Sequence, residues 1–573
     1  MAAVLMTGLL TGPRLSAQDT ALDKTTTEAE KPVYPVLSIN VASVDHLFGR
    51  MNLVFDLIGR PELSDLVGAK LADFRDLKGL DRTRPLGLML YLNDSAFLQP
   101  VPVAYLPVKD IGELKQTAST VRLQINDVPG EENHYELIPQ RGGTQQGVLM
   151  KDYLFITQSA LNLEQNFADP VEAQADLSRR YDIAITINLT HLPEAARNLL
   201  TTTLRASTQS AMQQRDDEPV GAYEFRRAQA EGNLQFLESL LKDGEEVTIG
   251  LKVDPDQKIG AVEFVIKAQA NSGFSKELAE SSGKPSYFAT ALDETIPLNV
   301  SLSQNLNELQ RKQTKKLLGV GEQEVNRGLA GLPREAKAED IPKLESIRGL
   351  FDAVEATVEN GHLDAFVQFF GNPKDKFVLV GGIRVAKAEA FGIGLTDVLT
   401  RARQSATDVD IELSVASYQD AVFHRLTGHK VQKNDERLYG DKPSLLLGTD
   451  RHVLWFAVGG ENSMTMLKSV MDKVAAGQAA PAAAQGVQPT PFQFVMHLDH
   501  FIGLRADEFE QNKEAKRNSE MAKEAFSNAG SDELRIDVKP IENGFRMRVQ
   551  LQQGYLRLLG LAIARAVDRN TSF

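Results

Sequence analysis

The sequence predicts an α+β fold of two tandem repeats, each a mostly antiparallel sheet covered by helices. Three observations predict it. A hairpin pattern occurs twice: 247–253 and 259–267 flank a turn at 254–258, and 533–539 and 545–551 flank a turn through Asn543-Gly544. A similar order of strand and helix patterns precedes each hairpin. The 573 residues also exceed the ~250–300 at which single cores stop growing, so more than one domain is expected.

Alternation justifies the hairpins, because neighbouring side chains of a strand point to opposite faces. Phe545, Met547, Val549 and Leu551 share one face, and Arg546, Arg548 and Gln550 the other. In the first copy Val247, Ile249, Leu251 and Val253 share a face, as do Val262, Phe264 and Ile266. Asn-Gly supplies the positive φ of a tight type I′ turn. Each hairpin then has an apolar face that needs a cover. Helix patterns at 274–280 and 555–567 follow the hairpins and are the expected covers. Tyr555, Leu559, Ile563 and Val567, four apart, place the second helix on the Phe545 to Leu551 face.

The remaining elements follow in order. Residues 36–42 (VLSINVA) read as a strand. Asp45 is an N-cap before a helix with Leu47, Met51, Val54, Phe55 and Ile58 at helical spacing. A second helix spans 62–77, then strands 86–92 and 101–106, a short helix to 119, and strands 134–138, 148–150 and 153–157. A helix at 161–167, a polar link at 169–180, a strand at 181–189 and helices at 193–213 and 223–242 lead to the first hairpin. The second half offers a strand at 296–302, helices at 305–318, 325–329 and 344–359, and strands at 365–370 and 377–385. A helix at 388–403, strands at 410–415, 445–448 and 453–458 and a helix at 463–474 follow. An Ala, Pro, Gln and Gly-rich link at 475–491 is expected to be flexible. A strand at 492–498 and a polar helix at 506–526 precede the second hairpin. The expected domains are 36–283 and 296–573, joined by a connector at 284–295. This layout resembles large exported bacterial proteins of the domain-of-unknown-function kind. The resemblance covers most of the chain and implies no activity.

The N-terminus carries an address. Residues 2–10 are an apolar run, and Leu15-Ser16-Ala17 ends in a small residue, as a signal-peptidase site does. A polar segment, 18–35, follows. This predicts a signal peptide over 1–17 and an exported protein of the periplasm or cell envelope. No Lys or Arg precedes the run, so a basic segment lies upstream or the signal is atypical; a frayed apolar tail is the alternative. No run reaches the ~18 apolar residues of a membrane span. The net charge of −14 argues against nucleic acid as a partner. The absence of cysteine removes disulfides, thiol nucleophiles and cysteine metal sites.

Chemistry-bearing patterns are few. The sequence has no GxxxxGK[ST] loop, no GxGxxG after a strand, no HExxH and no GxSxG. No cofactor is expected. Asp254-Pro255-Asp256 imitates the start of a calcium loop, but Lys258 occupies a ligand position, so it reads as a turn. Gly381-Gly382 reads as a bulge within a strand. The best cluster is His497-Leu498-Asp499-His500. On a continuing strand His497 and Asp499 share a face, which suits a metal or an acid/base pair; the alternative is that His500 ends the strand and caps a helix. His424 and His429 read as solvated, and Trp455 as core. The leading expectation is a non-enzymatic binding or structural component of the envelope, with an unidentified envelope partner or apolar ligand. The alternatives are a periplasmic carrier of a lipid or other apolar ligand, and a hydrolase without a linear motif.

Overall fold

In a computed structural model, the structure describes residues 34–92, 100–164, 167–216, 218–330, 345–479, 490–502, 504, 512–527 and 530–571. The expected signal peptide and most of the polar segment and the Ala/Pro-rich link lie outside the described residues. The chain divides into two compact units.

The first unit is centred on β1 (Leu37–Val41), which pairs with β2 (Leu86–Tyr91) and β8 (Ile183–Asn188). From β2 the sheet continues through β3 (Val101–Pro107), β7 (Tyr153–Thr157), β6 (Gln145–Met150) and β5 (His134–Pro139) to β4 (Leu123–Asp127). From β8 it continues to β9 (Gly244–Asp254). The helices α1 (Val44–Leu57), α2 (Glu62–Asp73), α3 (Ile111–Thr120), α4 (Pro170–Ala173) and α5 (Ala175–Arg180) belong here. Ser43, not Asp45, caps α1: its Oγ accepts from the His46 N–H at 3.0 Å.

The chain passes between units four times: along α6 (Glu194–Ala211), at the start of β9, along β10 (Ile259–Ala268) and within the last helix. The second unit is centred on β11 (Leu298–Asn305), paired with β12 (His362–Asn372) and β18 (Phe492–His497). One side runs through β13 (Lys376–Arg384), β17 (Val453–Gly459), β16 (Ser444–Thr449) and β15 (Ala421–Gly428) to β14 (Val409–Tyr418). The other runs through β19 (Glu533–Ile541) to β20 (Gly544–Leu551). Its helices include α7 (Val220–Asp243), α8 (Gly273–Glu280), α9 (Glu308–Leu329), α10 (Glu345–Glu359) and α11 (Ala388–Ser405). They continue with α12 (Lys433–Tyr439), α13 (Ser463–Ala479), α14 (Asp499–Ile502) and α15 (Lys513–Ala525). A filled core of Phe288, Phe366, Val380, Phe423, Trp455, Leu467 and Met471 lies between the sheet and α13.

Two tandem repeats are not what forms. Among the described residues twenty strands form one antiparallel sheet, and helix, at 44%, outweighs strand, at 31%, so helices are more than a cover. The units also do not follow the expected halves: the first takes Met1–Arg197, Glu246–Phe264 and Leu559–Phe573, the second Asn198–Glu245 and Val265–Leu558. The last helix, α16 (Gln553–Thr571), shows why. Its Ile563, Ala564 and Val567 pack with Phe55 and Leu63 of α1 and α2. A Cβ on Gly560 would lie 2.9 Å from Val54 Cγ1, so only glycine permits this approach. Leu559, expected in the buried stripe, is 53% exposed; the buried side carries Leu556, Gly560 and Ala564 instead. The helix expected to close the second half thus completes the helix cluster of the first unit.

Two local expectations also change. Ile541 pairs with Gly544, so the second hairpin turns on Glu542-Asn543, and only Asn543 has positive φ. Gly544 is needed elsewhere: a Cβ there would meet the carbonyl oxygen of Ile266 on β10. Gly381-Gly382 is no bulge. It keeps regular register with Val367 and Phe366, and the missing side chains make room for the rings of Phe456, Phe366, Phe288 and Trp455.

Candidate functional site

The sequence-predicted cluster is brought together, but not on one strand. β18 ends at His497 and α14 begins at Asp499. Both converge on Asp532, 2% exposed, which no local pattern marks because it lies more than thirty residues away. The Asp499 N–H donates to Asp532 Oδ2 at 3.0 Å, and His497 Nδ1 lies 3.5 Å from Asp532 Oδ1. His497 Nε2 donates to the Glu294 carbonyl at 2.8 Å, and His500 Nε2 lies 3.5 Å from Asp499 Oδ1. Burial, then the neighbouring Asp532, raises the Asp499 carboxyl. Burial would raise Asp532 too, but hydrogen bonds from Asp499 and His497 outweigh it and hold that carboxylate low. Split titrations of this kind suit acid/base work. Here, however, Asp532 and His497 bond to the backbone of the corner, and the cluster staples a strand end to a helix start. Among the described residues no group of three or more His, Cys, Asp or Glu is arranged to hold a metal.

Beside it is an open cavity of about 410 Å³ lined by Ser286, Ser301, Gln493, Glu294, Arg535 and Lys539. Arg535 grips Glu294 with two nitrogens and Glu533 with its Nε at 3.0 Å, so most of the charge is matched internally. The Arg535 guanidinium holds the Glu294 carboxyl below its usual range. A second open groove, about 460 Å³, runs between α7 and α9 past Ala222, Phe225, Leu317 and Val320.

His424 is buried, at 3% exposure, and not solvated as expected; His429 is exposed and bonds Asp410 at 2.9 Å. The Ser414 N–H donates to His424 Nδ1 at 3.2 Å. Thr396 Oγ1 gives its proton to the Gly392 carbonyl and so accepts from His424 Nε2 at 3.2 Å. A proton added at Nδ1 would face another donor, and burial pushes the imidazole below its usual value. The folded state then refuses a proton that the unfolded chain accepts. This contribution to stability is complete above the free-imidazole value of about 6.5 and is lost as pH falls below it. Denaturant midpoints measured down the acid side should fall, and His424→Gln should flatten that part of the profile.

The most unusual surface is on the first unit's sheet. Register aligns three aliphatic rows across β2, β1, β8 and β9: Leu90–Leu37–Ile187–Val247, Leu88–Ile39–Ile185–Ile249 and Leu86–Val41–Ile183–Leu251. None of these side chains is buried, and Ile185, Ile249 and Leu251 are 38%, 39% and 41% exposed. The opposite face buries Ser38, Asn40, Thr186 and Thr248. Tyr105 Oη donates to Asn40 Oδ1 at 2.9 Å, Asn40 Nδ2 to Ser178 Oγ at 3.1 Å, and Thr186 and Thr248 bond each other at 3.1 Å. The buried face thus mixes these polar groups with Met89, Tyr91 and Ala184, while the aliphatic rows are left half-buried or exposed. On the aliphatic side α3 packs on the far strands. Its Leu114 and Ala118 pack with Ile125, Leu137, Leu154 and Ile156, and this cluster reaches β3 through Ala104 and Leu106. The second unit has a similar half-buried row, Val367–Val300–Phe494–Ile536–Val549, behind buried Asn299, Ser301 and Ser303. Alternation made the Ile249/Leu251 face legible in the sequence; the exposure of Ile185, Ile249 and Leu251 was not.

Comparison with protein-family models, curated proteins and solved structures finds no match.

Proposed function

We propose that the protein is a non-enzymatic binding component of the bacterial cell envelope, exported, whose partner is apolar and seats on the aliphatic sheet face of the first unit. The observation that carries the reading is the exposed aliphatic patch: Ile185, Ile249 and Leu251 adjoin one another and are 38%, 39% and 41% exposed. Contiguous exposed apolar surface marks an interaction site. The apolar run and Leu15-Ser16-Ala17 support export. Among the described residues no helix is long and apolar enough to cross a membrane.

An environment-sensitive apolar dye tests it. The wild-type protein should bind the dye in its native state. The triple variant Ile185→Thr, Ile249→Thr, Leu251→Thr, which keeps strand propensity, should lose most of that signal with little change in melting temperature. Unchanged dye binding, or collapse of the fold, overturns the reading.

A further inference from the structure

We propose that the cavity beside Glu294 and Arg535 in the second unit binds one pyranose ring of a neutral sugar. This site is independent of the aliphatic face of the first unit, so either can fail without the other. Register places Ser301 of β11 beside Gln493 of β18, and Gln493 beside Asp537 of β19. Arg535 and Lys539 flank Asp537 at two-residue spacing. Ser301, Gln493, Arg535 and Lys539 therefore share one face, and all four line the cavity. Its volume of about 410 Å³ is within the ~300–1,000 Å³ of small-molecule sites.

The polar groups are fixed in advance. Arg535 donates to both Glu294 oxygens, at 3.0 and 2.5 Å, and Gln493 Nε2 donates to Glu294 Oε1 at 2.8 Å. The Glu294 carbonyl accepts from His497 Nε2 at 2.8 Å, which ties this residue to the end of β18. The Glu294 side chain is still 46% exposed, so its carboxylate has room to accept from a ligand. Two donors are unused. Ser301 is 4% exposed and faces the cavity, yet among the described residues its hydroxyl bonds nothing. The Lys539 ammonium is exposed and has no ion-pair partner among the described residues.

Local charge selects the occupant. Arg535 and Lys539 balance Glu294 and Glu533, and Asp537 stands opposite Arg548 in register. An anion would meet the Glu294 carboxylate, and a cation would meet Arg535 and Lys539. A hydroxyl both donates and accepts. Neighbouring hydroxyls on a ring can thus donate to Glu294 while accepting from Lys539 and Ser301. Pro285, Ala289 and Leu292 supply an apolar wall for the ring's C–H face.

The experiment titrates the full chain with methyl glycosides of glucose, galactose and mannose, followed by saturation-transfer difference NMR. Saturable binding of at least one, at about millimolar concentration, is expected. Lys539→Met and Ser301→Ala remove groups that hold nothing else in the protein, so both variants should melt as the wild type does. The first should weaken binding about tenfold and the second about fivefold. Hexasaccharides of the same sugars separate the two sources of such a ring. Competition as strong as that of the methyl glycoside assigns the ring to a glycan end, and competition by the glycosides alone assigns a free sugar. Three outcomes overturn the proposal: no glycoside binding at about 50 mM, binding that neither variant weakens, and stronger displacement by phosphate, methylammonium or glycine than by any glycoside.

Discussion

Trp455→Ala is expected to destabilise the second unit by about 3–5 kcal/mol, the usual cost of emptying a large aromatic site in a filled core. Trp455 is 2% exposed, with ring centroids 5.9 Å from Phe288 and 6.2 Å from Phe366. Its Nε1–H donates to Asp450 Oδ2 at 2.7 Å, and Asp450 Oδ1 accepts from the His452 and Val453 N–H groups. The alanine variant loses both the packing and the bond that anchors this turn. Trp455→Phe keeps a ring and should cost less. Denaturant unfolding followed by circular dichroism measures both; an unchanged midpoint for the alanine variant would show that this cluster is not the core.

Asp182→Ala should cost the first unit about 3 kcal/mol. Asp182 is 3% exposed, and its Oδ2 accepts from the Val253 N–H at 2.6 Å and its Oδ1 from Arg50 Nε at 3.2 Å. It therefore ties the start of β8 to β9 and to α1. Arg50 reaches solvent in part, which keeps the cost at the lower end for a buried pair. Hydrogen exchange provides a local readout: the Val253 amide should lose protection first. Asp182→Asn, which retains an acceptor, should fall between the two.

The hairpins were legible because period-two alternation is a local property. Val247 to Leu251 and Phe545 to Leu551 lie in strands at the expected places. The turn at Asp254 was legible for the same reason: its Oδ1 accepts from the Asp256 and Gln257 N–H groups, both at 3.0 Å. What failed depends on partners distant in sequence. Whether Ile249 is covered or open is not a property of its neighbours in sequence, and it is 39% exposed. Tandem halves were inferred from order, but order does not say which unit α16 completes. The candidate cluster was legible at His497, Asp499 and His500, yet its centre, Asp532, carries no local signal. His424 looked polar because its neighbours in sequence are; its burial comes from α11 and the β14 bulge.

The contact between α16 and the first two helices has a consequence for biosynthesis. Arg60 bonds Asp568 across 508 residues of chain. At roughly 5–20 residues per second, a ribosome takes about half a minute to two minutes to cover that distance. Throughout that interval Phe55 and Leu63 have Met51, Ile58 and Val67 beside them but lack Ile563, Ala564 and Val567, so the nascent chain presents a partly uncovered helix pair long before its closing segment is made. Completion of this helix cluster is therefore late, and a chaperone that holds apolar helices has a defined window in which to act.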